Sequence, residues 1–338
     1  MKVKNLRFFW IGFALAMGLV AGGLQAAGQG GAVGQAAAAR QLVVLDTDIG
    51  DDIDDAFALG LLIQSPEVKL LGVTTAYGQT PLRAQLVERY LKAVGRGDVP
   101  VAAGVRGPDT DHFSQAAYAR REPERQYPDG VAFLLEQIRV HPGQVTVVAI
   151  GALTNLRAAL EREPETFRKV GRVVLMGGSV YEGYEDHKTG ARQQPPSVEW
   201  NIRCDPGAAR AVFESGVPVF AMPLDSTQIH LSAEELRGVV AHGSALTDQI
   251  ALLYLEWTGR KEWRSPTLYD PVAVTYALRP ELCPVKPMRL EVDAEGWTRP
   301  VEGKPNVQVC LKADEAGFRR FLLERLMGTQ GALAEGSR

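Results

Sequence analysis

From residue 42 to residue 327 the chain alternates between short apolar runs and longer stretches of helical period. Short runs rich in valine, leucine and isoleucine and bounded by glycine, proline or polar residues predict strands. They cover residues 42–45, 68–75, 99–104, 145–150, 172–175, 217–222 and 307–311. Helices are predicted at 56–64, 82–94, 131–140, 207–215 and 317–327, with helix starts at 151–156 and 268–274. This alternation predicts an α/β fold, a single-domain, Rossmann-like, open and mostly parallel sheet flanked by helices.

The first predicted strand ends in an acidic loop. Six aspartates and one glycine fall within residues 46–55, directly before an apolar helical pattern. In an open α/β sheet ligands bind beyond the carboxyl ends of the strands, so a site is expected here. Because crowded carboxylates repel one another, a bound divalent cation relieves them, and hard oxygen ligands favour Ca²⁺ or Mg²⁺. The alternative is a solvated turn whose last aspartates cap the following helix.

The N-terminus has the layout of a secretory signal peptide. Basic residues precede the apolar stretch 8–20, and small residues follow as far as position 27. We therefore expect a signal peptide over 1–27, a flexible linker over 28–40 and a folded domain over 41–330. The apolar stretch is short for a stable membrane span. Export to the periplasm or the medium is the expectation, with a membrane anchor formed by an uncleaved N-terminal segment as the alternative.

Composition excludes some classes of partner. The 338 residues carry a net charge of −3, which gives no basic surface for a nucleic-acid polymer. A nucleic-acid connection would therefore involve a small component. Three cysteines, Cys204, Cys283 and Cys310, show no metal-type spacing. An exported protein can form one disulfide from them, and the sequence leaves the pair open.

Five groups of motifs follow one another along the chain. They are Asp46-Thr47-Asp48-Ile49-Gly50 with Asp54-Asp55-Ala56, Gly151-Ala152-Leu153-Thr154-Asn155, Met176-Gly177-Gly178, Glu199-Trp200-Asn201 with Cys204-Asp205-Pro206, and Asp270-Pro271-Val272-Ala273-Val274. Together they make the chain resemble the inosine/uridine-preferring nucleoside hydrolases, which are ribonucleoside N-ribohydrolases. The likeness runs from about residue 42 to the C-terminal helix. It implies a nucleoside hydrolase fold that binds a small ribonucleoside and cleaves it to free base and ribose.

The resemblance also implies a Ca²⁺ ion at the bottom of a pocket. It assigns the metal to Asp48, Asp55, the main-chain carbonyl of Ile150, and Asp270. Carboxylates and a carbonyl suit the high oxygen coordination of calcium. It assigns the ribose hydroxyls to Asp54, Glu199 and Asn201, and Gln79, Met176 and Trp200 are further candidates for contact with the substrate. For Trp200, placed in a strand by the sequence pattern, core packing is the alternative, and Asn155 is expected either to take part or only to cap or brace its helix.

The implied chemistry is direct attack by water on the anomeric carbon. Breaking an N-glycosidic bond develops positive charge on the ribose ring, which nearby carboxylates stabilise. Water held on the metal has a lowered pKa, and Asp48 is the expected base that takes its proton. Attack without a covalent intermediate predicts inversion.

The chain departs from the family pattern at the base end of the pocket. Tyr269 stands where many members have a histidine that is the candidate acid for the leaving base, and Gln79 stands where an asparagine is familiar. An unperturbed tyrosine, with a pKa of about 10, donates hydrogen bonds but is a poor acid at neutral pH. The loop histidines His112 and His187, together with His230, are further candidate proton donors. The preferred base is left open.

Two other functions are consistent with parts of the sequence. A haloacid-dehalogenase-like phosphatase would use Asp46 and Asp48, but the later lysine and paired aspartates of that class cannot be placed. An exported calcium-dependent binder of nucleosides or sugars without turnover is the non-enzymatic alternative. The resemblance implies a homodimer or homotetramer.

Overall fold

The structure is a computed structural model that describes residues 40–108, 113–186, 190–192, 194–259 and 264–328. The signal peptide and linker predicted for 1–27 and 28–40 therefore lie outside the described residues, apart from Arg40. Within the described ranges, no helix combines the length and apolarity that crossing a bilayer requires.

A nine-stranded sheet forms the centre of the fold. Its strands in chain order are β1 (Gln41–Thr47), β2 (Val68–Thr75), β3 (Val101–Ala103), β4 (Val145–Ala149), β5 (Arg172–Met176), β6 (Val219–Met222), β7 (Val285–Val292), β8 (Thr298–Val301) and β9 (Val307–Cys310). The order across the sheet is β3-β2-β1-β4-β5-β6-β9-β7-β8. All pairs from β3 to β9 are parallel, whereas β7 runs antiparallel to both β9 and β8. The predicted open, mostly parallel sheet is confirmed.

Helices cover both faces of the sheet. They are α1 (Asp54–Ile63), α2 (Thr80–Ala93), α3 (Ala116–Ala119), α4 (Gly130–Val140), α5 (Thr154–Arg162), α6 (Pro164–Phe167), α7 (Trp200–Cys204), α8 (Pro206–Glu214), α9 (Leu224–Thr227), α10 (Ala233–Ala241), α11 (Ala245–Trp257), α12 (Tyr269–Leu278) and α13 (Glu315–Met327), with a 3-10 helix at Pro280–Leu282. Two buried apolar clusters, one on each side of the sheet, make up the core. Because both faces of the central strands are covered, those strands read as continuous apolar runs rather than as alternating ones.

Register brings several strand ends to one edge of the sheet. Asp46, near the end of β1, pairs with Thr74 of β2 and Ala149 of β4. The chain beyond each of these strands therefore emerges side by side at the carboxyl edge. Cys283 and Cys310 form a disulfide, and Cys204 is the free cysteine. This bond joins the segment before β7 to the end of β9.

Candidate active site

A cavity of about 410 Å³ opens at the carboxyl edge of the sheet. Ten of the eleven site residues predicted from the sequence line it: Asp48, Asp54, Asp55, Ile150, Met176, Glu199, Trp200, Asn201, Tyr269 and Asp270. Three residues not assigned a role from the sequence also line it, namely Asp51, Asp52 and Tyr184. The size falls within the roughly 300–1,000 Å³ of small-molecule sites.

Four buried aspartates form what we call the acidic floor: Asp48, Asp54, Asp55 and Asp270. Carboxylate oxygens of Asp54, Asp55 and Asp270 lie within 4.8 Å of one another. Helices α1 and α12 pack together and each contributes its first turn, so residues 216 positions apart meet: the main-chain N–H of Asp270 donates to Asp54 Oδ2 at 3.1 Å. Thr47 Oγ1 donates to Asp55 Oδ1. The sequence prediction that distant acids converge on one point agrees with this geometry.

Burial and mutual repulsion disturb the protonation of the acidic floor. Desolvation is the main cause that raises the pKa of Asp48 to about 7, and it raises the pKa of Asp54, Asp55 and Asp270 well above 3.8. Neighbouring carboxylates of the floor raise these pKa values further. A bound divalent cation offsets both the desolvation of these carboxylates and their mutual repulsion. Clustered carboxylate oxygens are the donors that Ca²⁺ and Mg²⁺ prefer. The donor set therefore fits a hard divalent cation.

The alternative in which the aspartates only cap α1 fails. The N-cap residue of α1 is Ile53, and no side chain caps this helix end. Asp54 and Asp55 instead occupy the first turn and are buried, with exposed fractions of 3% and 4%.

Asn155 braces strand ends and does not line the cavity. Its Nδ2 donates to Asp46 Oδ1 at 2.6 Å and to the Thr75 carbonyl at 3.1 Å, and its Oδ1 accepts from Val105 N at 2.7 Å. These bonds join the ends of β1 and β2 to the chain just beyond β3. Burial, opposed by the hydrogen bonds from Thr74 and Asn155, raises the pKa of Asp46 to about 6.

Glu199 and Asn201 line the cavity at the start of the short helix α7. Glu199 caps α7: its carboxylate accepts from the main-chain N–H groups of Asn201, Ile202 and Gly178 at 2.9, 3.1 and 3.0 Å. Asn201 Nδ2 donates to the carbonyls of Ile150 and Met176, both at 3.2 Å. The amide of Asn201 thus holds the carbonyl that the sequence assigns to the metal.

Three aromatic side chains, Tyr184, Trp200 and Tyr269, form a second region that we call the aromatic wall. The rings of Tyr184 and Tyr269 meet edge to face with centroids 6.3 Å apart, and Tyr184 Oη accepts from Trp200 N at 2.8 Å. The prediction of a strand at Trp200 is wrong, because Trp200 begins the short helix α7, where Glu199 provides the cap. It is half-buried and lines the cavity.

Gln79 is the one predicted site residue that lies elsewhere. It precedes α2 and lines a separate cavity with Gln85 and Arg106. The chain adopts left-handed conformations at Tyr77 (φ 58°) and Gly78 (φ 62°), so it turns into α2 at this point. Gln79 therefore lies outside the acidic cavity, and its predicted contact with the substrate gains no support from this position.

The three candidate histidines do not line the cavity or cannot be placed. His112 and His187 lie outside the described residues. His230 Nε2 lies 2.7 Å from Glu185 Oε1, and Thr267 Oγ1 lies 3.2 Å from the same oxygen. His230 also pairs with Thr267 in an isolated β-bridge. Its neighbours Glu185 and Thr267 are close in sequence to Tyr184 and Tyr269, but His230 itself is not among the residues that line the cavity.

Sequence reasoning missed Arg83 and gave no role to Tyr184. Arg83 is fully buried in α2 and contacts the acidic loop. The only signal for it was an arginine inside an otherwise apolar helix face. Tyr184 lies in an irregular segment, where no periodicity indicates which side chains point inward.

Comparisons with known proteins agree with this geometry. The family profile described as "Inosine-uridine preferring nucleoside hydrolase" matches residues 43–320. The pyrimidine-specific ribonucleoside hydrolase RihA of Citrobacter koseri is 33% identical over 316 residues, covering 84% of this chain and 97% of that protein. An uncharacterised protein of Schizosaccharomyces pombe is 30% identical, covering 84% of this chain and 98% of its own length.

Solved structures show the same fold. A plant nucleoside hydrolase, the PpNRh1 enzyme, superposes with a TM-score of 0.72 at 25% identity, covering 85% of this chain and 99% of the plant chain. A purine-preferring ribonucleoside hydrolase from Gardnerella vaginalis gives a TM-score of 0.69 at 24% identity, covering 87% and 100%. The family match leaves no place for the phosphatase interpretation. The chain belongs to the inosine-uridine preferring nucleoside hydrolase family and is a hydrolase of N-glycosyl compounds.

Proposed function

We propose that the protein hydrolyses the N-glycosidic bond of ribonucleosides in a Ca²⁺-dependent reaction, giving free base and ribose. The observation that carries the proposal is the convergence of buried Asp54, Asp55 and Asp270 oxygens within 4.8 Å at the bottom of the cavity. Buried carboxylates without a cation or other partner are costly, so their presence together supports a metal site.

Asp48, Asp55, Asp270 and the carbonyl of Ile150 would hold the cation. All four lie on the cavity, and all are hard oxygen donors. The bound metal would supply Lewis-acid chemistry, lowering the pKa of a water and fixing sugar hydroxyls. Calcium is proposed over zinc because the donors are carboxylates and a carbonyl, with no histidine or cysteine among them.

Asp48 acts as the general base in this proposal. Its buried carboxylate lines the cavity beside the other acids of the floor, at the proposed cation site, where a positioned base is effective. The Cα of Gly151 lies against Asp48, because a Cβ there would come within 2.8 Å of Asp48 Oδ1. Gly151 therefore makes room for the carboxylate. Direct attack by water on the anomeric carbon gives inversion.

The remaining cavity residues act on the sugar and the base. Asp54 and Glu199 stabilise the positive charge that develops on the ribose ring in the transition state. Burial raises the pKa of Tyr269, which makes it a hydrogen-bond donor and not a proton source at neutral pH. Tyr269, Tyr184 and Trp200 surround the base. Because the similar enterobacterial enzyme is named as pyrimidine-specific, we propose uridine and cytidine as the better substrates.

Export and self-association are part of the proposal. The Cys283–Cys310 disulfide supports an oxidising compartment, since such bonds are rare in the cytosol. Cleavage near residue 27 would be tested by N-terminal sequencing of the protein recovered from the cell envelope and the medium. A homodimer or homotetramer would be tested by light scattering.

The test is a turnover assay on purified protein with uridine, cytidine, inosine and adenosine. Release of free base is followed by chromatography, and ribose by a reducing-sugar assay. We expect uridine and cytidine to be cleaved fastest, activity to disappear after exhaustive chelation, and Ca²⁺ to restore it. Undiminished cleavage after chelation would refute the metal dependence. Calcium-dependent binding without products would instead support the binder without turnover.

A further inference from the structure

Arg83 is the largest fully buried side chain among the described residues. It extends from α2 beneath the acidic loop, and its guanidinium carries no exposed surface. A buried cation is expensive unless fixed acceptors surround it, so its contacts define what it does. The mechanism described above gives it no role.

The guanidinium of Arg83 binds two separate segments of the chain. Its Nη1 donates to the main-chain carbonyls of Asp48 and, at 3.0 Å, Ile49. Its two Nη atoms reach the Asp51 carboxylate at 3.1 and 3.0 Å, and its Nε donates to the Tyr77 carbonyl at 2.9 Å. One planar group therefore joins the loop after β1 to the left-handed turn after β2.

The segment beginning at Phe113 holds the rest of the loop. Gln115 N donates to the Gly50 carbonyl at 3.1 Å, Ser114 Oγ to the Asp51 carbonyl at 2.9 Å, and Gln115 Nε2 to the Asp52 carbonyl at 2.7 Å. All five carbonyls of residues 48–52 thus accept hydrogen bonds, two of them from Arg83.

Close packing adds to these bonds. The Phe113 ring lies 5.1 Å from the guanidinium carbon of Arg83. The same ring packs on Gly50, where a Cβ would come within 2.0 Å of it. Gly50 also has a φ of 128°, which side-chain-bearing residues rarely adopt. The loop backbone is therefore fixed from both sides.

We propose that Arg83 is a positioning residue that fixes the main chain of residues 48–51 and so directs Asp48 into the acidic floor, setting the affinity for the cation. The inference rests on the proposed metal-dependent function. Arg83 touches neither cation nor substrate in this arrangement and acts through the loop that carries Asp48. Its fork shape matters, because a single ammonium group cannot reach one carboxylate and three carbonyls at once.

Three variants test this proposal: Arg83→Met, Arg83→Lys and Asp51→Asn. The matched control is Arg89→Met, because Arg89 lies on the same helix, donates to the Tyr118 carbonyl at 2.7 Å and stacks on the Tyr118 ring 4.1 Å away. It makes the same kinds of contact but none with the acidic loop. Calcium affinity is measured by titration calorimetry on full-length protein, alongside the Ca²⁺-induced rise in Tm and the kcat and KM for uridine.

We expect Arg83→Met to weaken Ca²⁺ binding about 10- to 100-fold, as loss of an outer support of metal ligands does. Arg83→Lys should recover less than half of that loss on a logarithmic scale, and kcat should fall more than KM rises. Asp51→Asn should show a smaller loss in the same direction. Arg89→Met should bind Ca²⁺ as the unaltered protein does, whatever its Tm.

Unchanged Ca²⁺ affinity in Arg83→Lys or Asp51→Asn, while the unaltered protein binds Ca²⁺, would overturn the role of Arg83 alone. Equal losses in Arg83→Met and Arg89→Met would also overturn it, because they would indicate a general effect on stability. Should Arg83→Met fail to fold, Arg83→Lys and Asp51→Asn still decide the matter. If the unaltered protein binds no Ca²⁺, the proposed function falls and this inference falls with it.

Discussion

The acidic floor and the aromatic wall line the same cavity but are built differently. The floor comes from the end of β1 and the first turns of α1 and α12, elements that pack directly against one another. Tyr184 and Trp200 of the wall come from residues 177–200, whose described part contains no strand and leads into the short helix α7, whereas Tyr269 is the first residue of α12. Side chains of α9 and of Gln228, the residue that follows it, hold that segment: Asp225 accepts from Val180 N and Tyr181 N, and Gln228 accepts from Glu185 N.

This difference separates two tasks. The floor is rigid because its backbone is part of the sheet edge and the helix starts, and charge chemistry requires such fixed placement. The wall depends on a few side-chain bonds across a long loop, and loops accommodate sequence change more readily than the scaffold does. We therefore expect changes in the floor to abolish the reaction and changes in the wall to alter which base is accepted.

The largest effect is expected for Asp48→Ala. Removing the base should lower kcat for uridine by about 10²- to 10⁴-fold, the usual contribution of a positioned general base. Asp48→Asn is the matched variant, since it keeps the shape but not the proton acceptor, and it should be nearly as slow. Steady-state kinetics would measure the fall in kcat for both variants, with circular dichroism as a check on folding. Full activity in Asp48→Asn would mean that the floor does not supply the base.

A smaller effect is expected on the Tm of Asp270→Asn, which reports metal binding independently of catalysis. Asp270→Asn removes one negative charge from the crowded floor, so the chelated variant should have a higher Tm than the chelated unaltered protein. The Ca²⁺-induced rise in Tm should shrink, because one ligand is lost. Thermal unfolding with and without Ca²⁺ measures both. If Asp270→Asn lowered the Tm of the chelated protein, the repulsion ascribed to the floor would be absent.

The pH dependence of stability should follow from the same charges. The folded-state pKa values of Asp46 and Asp48, about 6 and 7, lie above their ordinary value of 3.8. Folding therefore favours the protonated forms, and their contribution to stability is full below about pH 4 and is lost as the pH rises through 6 and 7. The Tm of the chelated protein should fall between pH 5 and pH 8. With Ca²⁺ bound the slope should be shallower, and equal slopes would argue against a cation at the floor.

The aspartates of the acidic floor that follow β1 could be predicted from the sequence, because the pattern that indicates them is local. Residues 46–55 combine a buried strand, a run of acids and a helix start, so both the element and its chemistry can be read within ten positions. Asp270 required the family resemblance, since nothing near it in sequence points to residue 54. The parallel sheet followed from its apolar strands, whereas β7 and β8 were missed because β7 is half-exposed and contains a proline and charges.

The missed residues share a physical reason. Arg83 makes most of its hydrogen bonds with residues 32 to 35 positions away, and only the folded backbone reveals carbonyls that need a donor. Trp200 begins a helix of five residues, too short for a period to appear in the sequence. Tyr184 lies in an irregular segment and Gln79 in the turn before α2, so no regular element determines where their side chains point. Side chains on regular elements at strand ends were thus predictable, and those placed by tertiary contacts were not.

Tyr269→Phe sharpens the comparison from the side of the wall. The substitution removes one hydroxyl and keeps the ring against Tyr184, so kcat for uridine should fall less than about tenfold, as expected for loss of one hydrogen bond worth roughly 0.5–1.5 kcal/mol. The ratio of uridine to inosine turnover should change more in Tyr269→Phe than it does in the floor variants. A Tyr269→Phe enzyme as inactive as Asp48→Ala would make this tyrosine the acid for the leaving base and would end the division of tasks.

The smallest effect is expected for Gln79→Ala, which tests where the floor ends. Gln79 lines a different cavity from the acidic one and makes no side-chain cap for α2, so kcat/KM for uridine should stay within about twofold of the unaltered value, as for surface substitutions in general. Asn201→Ala is the matched comparison, because Asn201 is an amide that does line the acidic cavity and should lose activity. A loss for Gln79→Ala as large as that for Asn201→Ala would mean that the turn at Tyr77 and Gly78 moves Gln79 onto the sugar when substrate binds. In that case the binding surface would include the end of β2, and the boundary drawn here around the acidic floor would be too narrow.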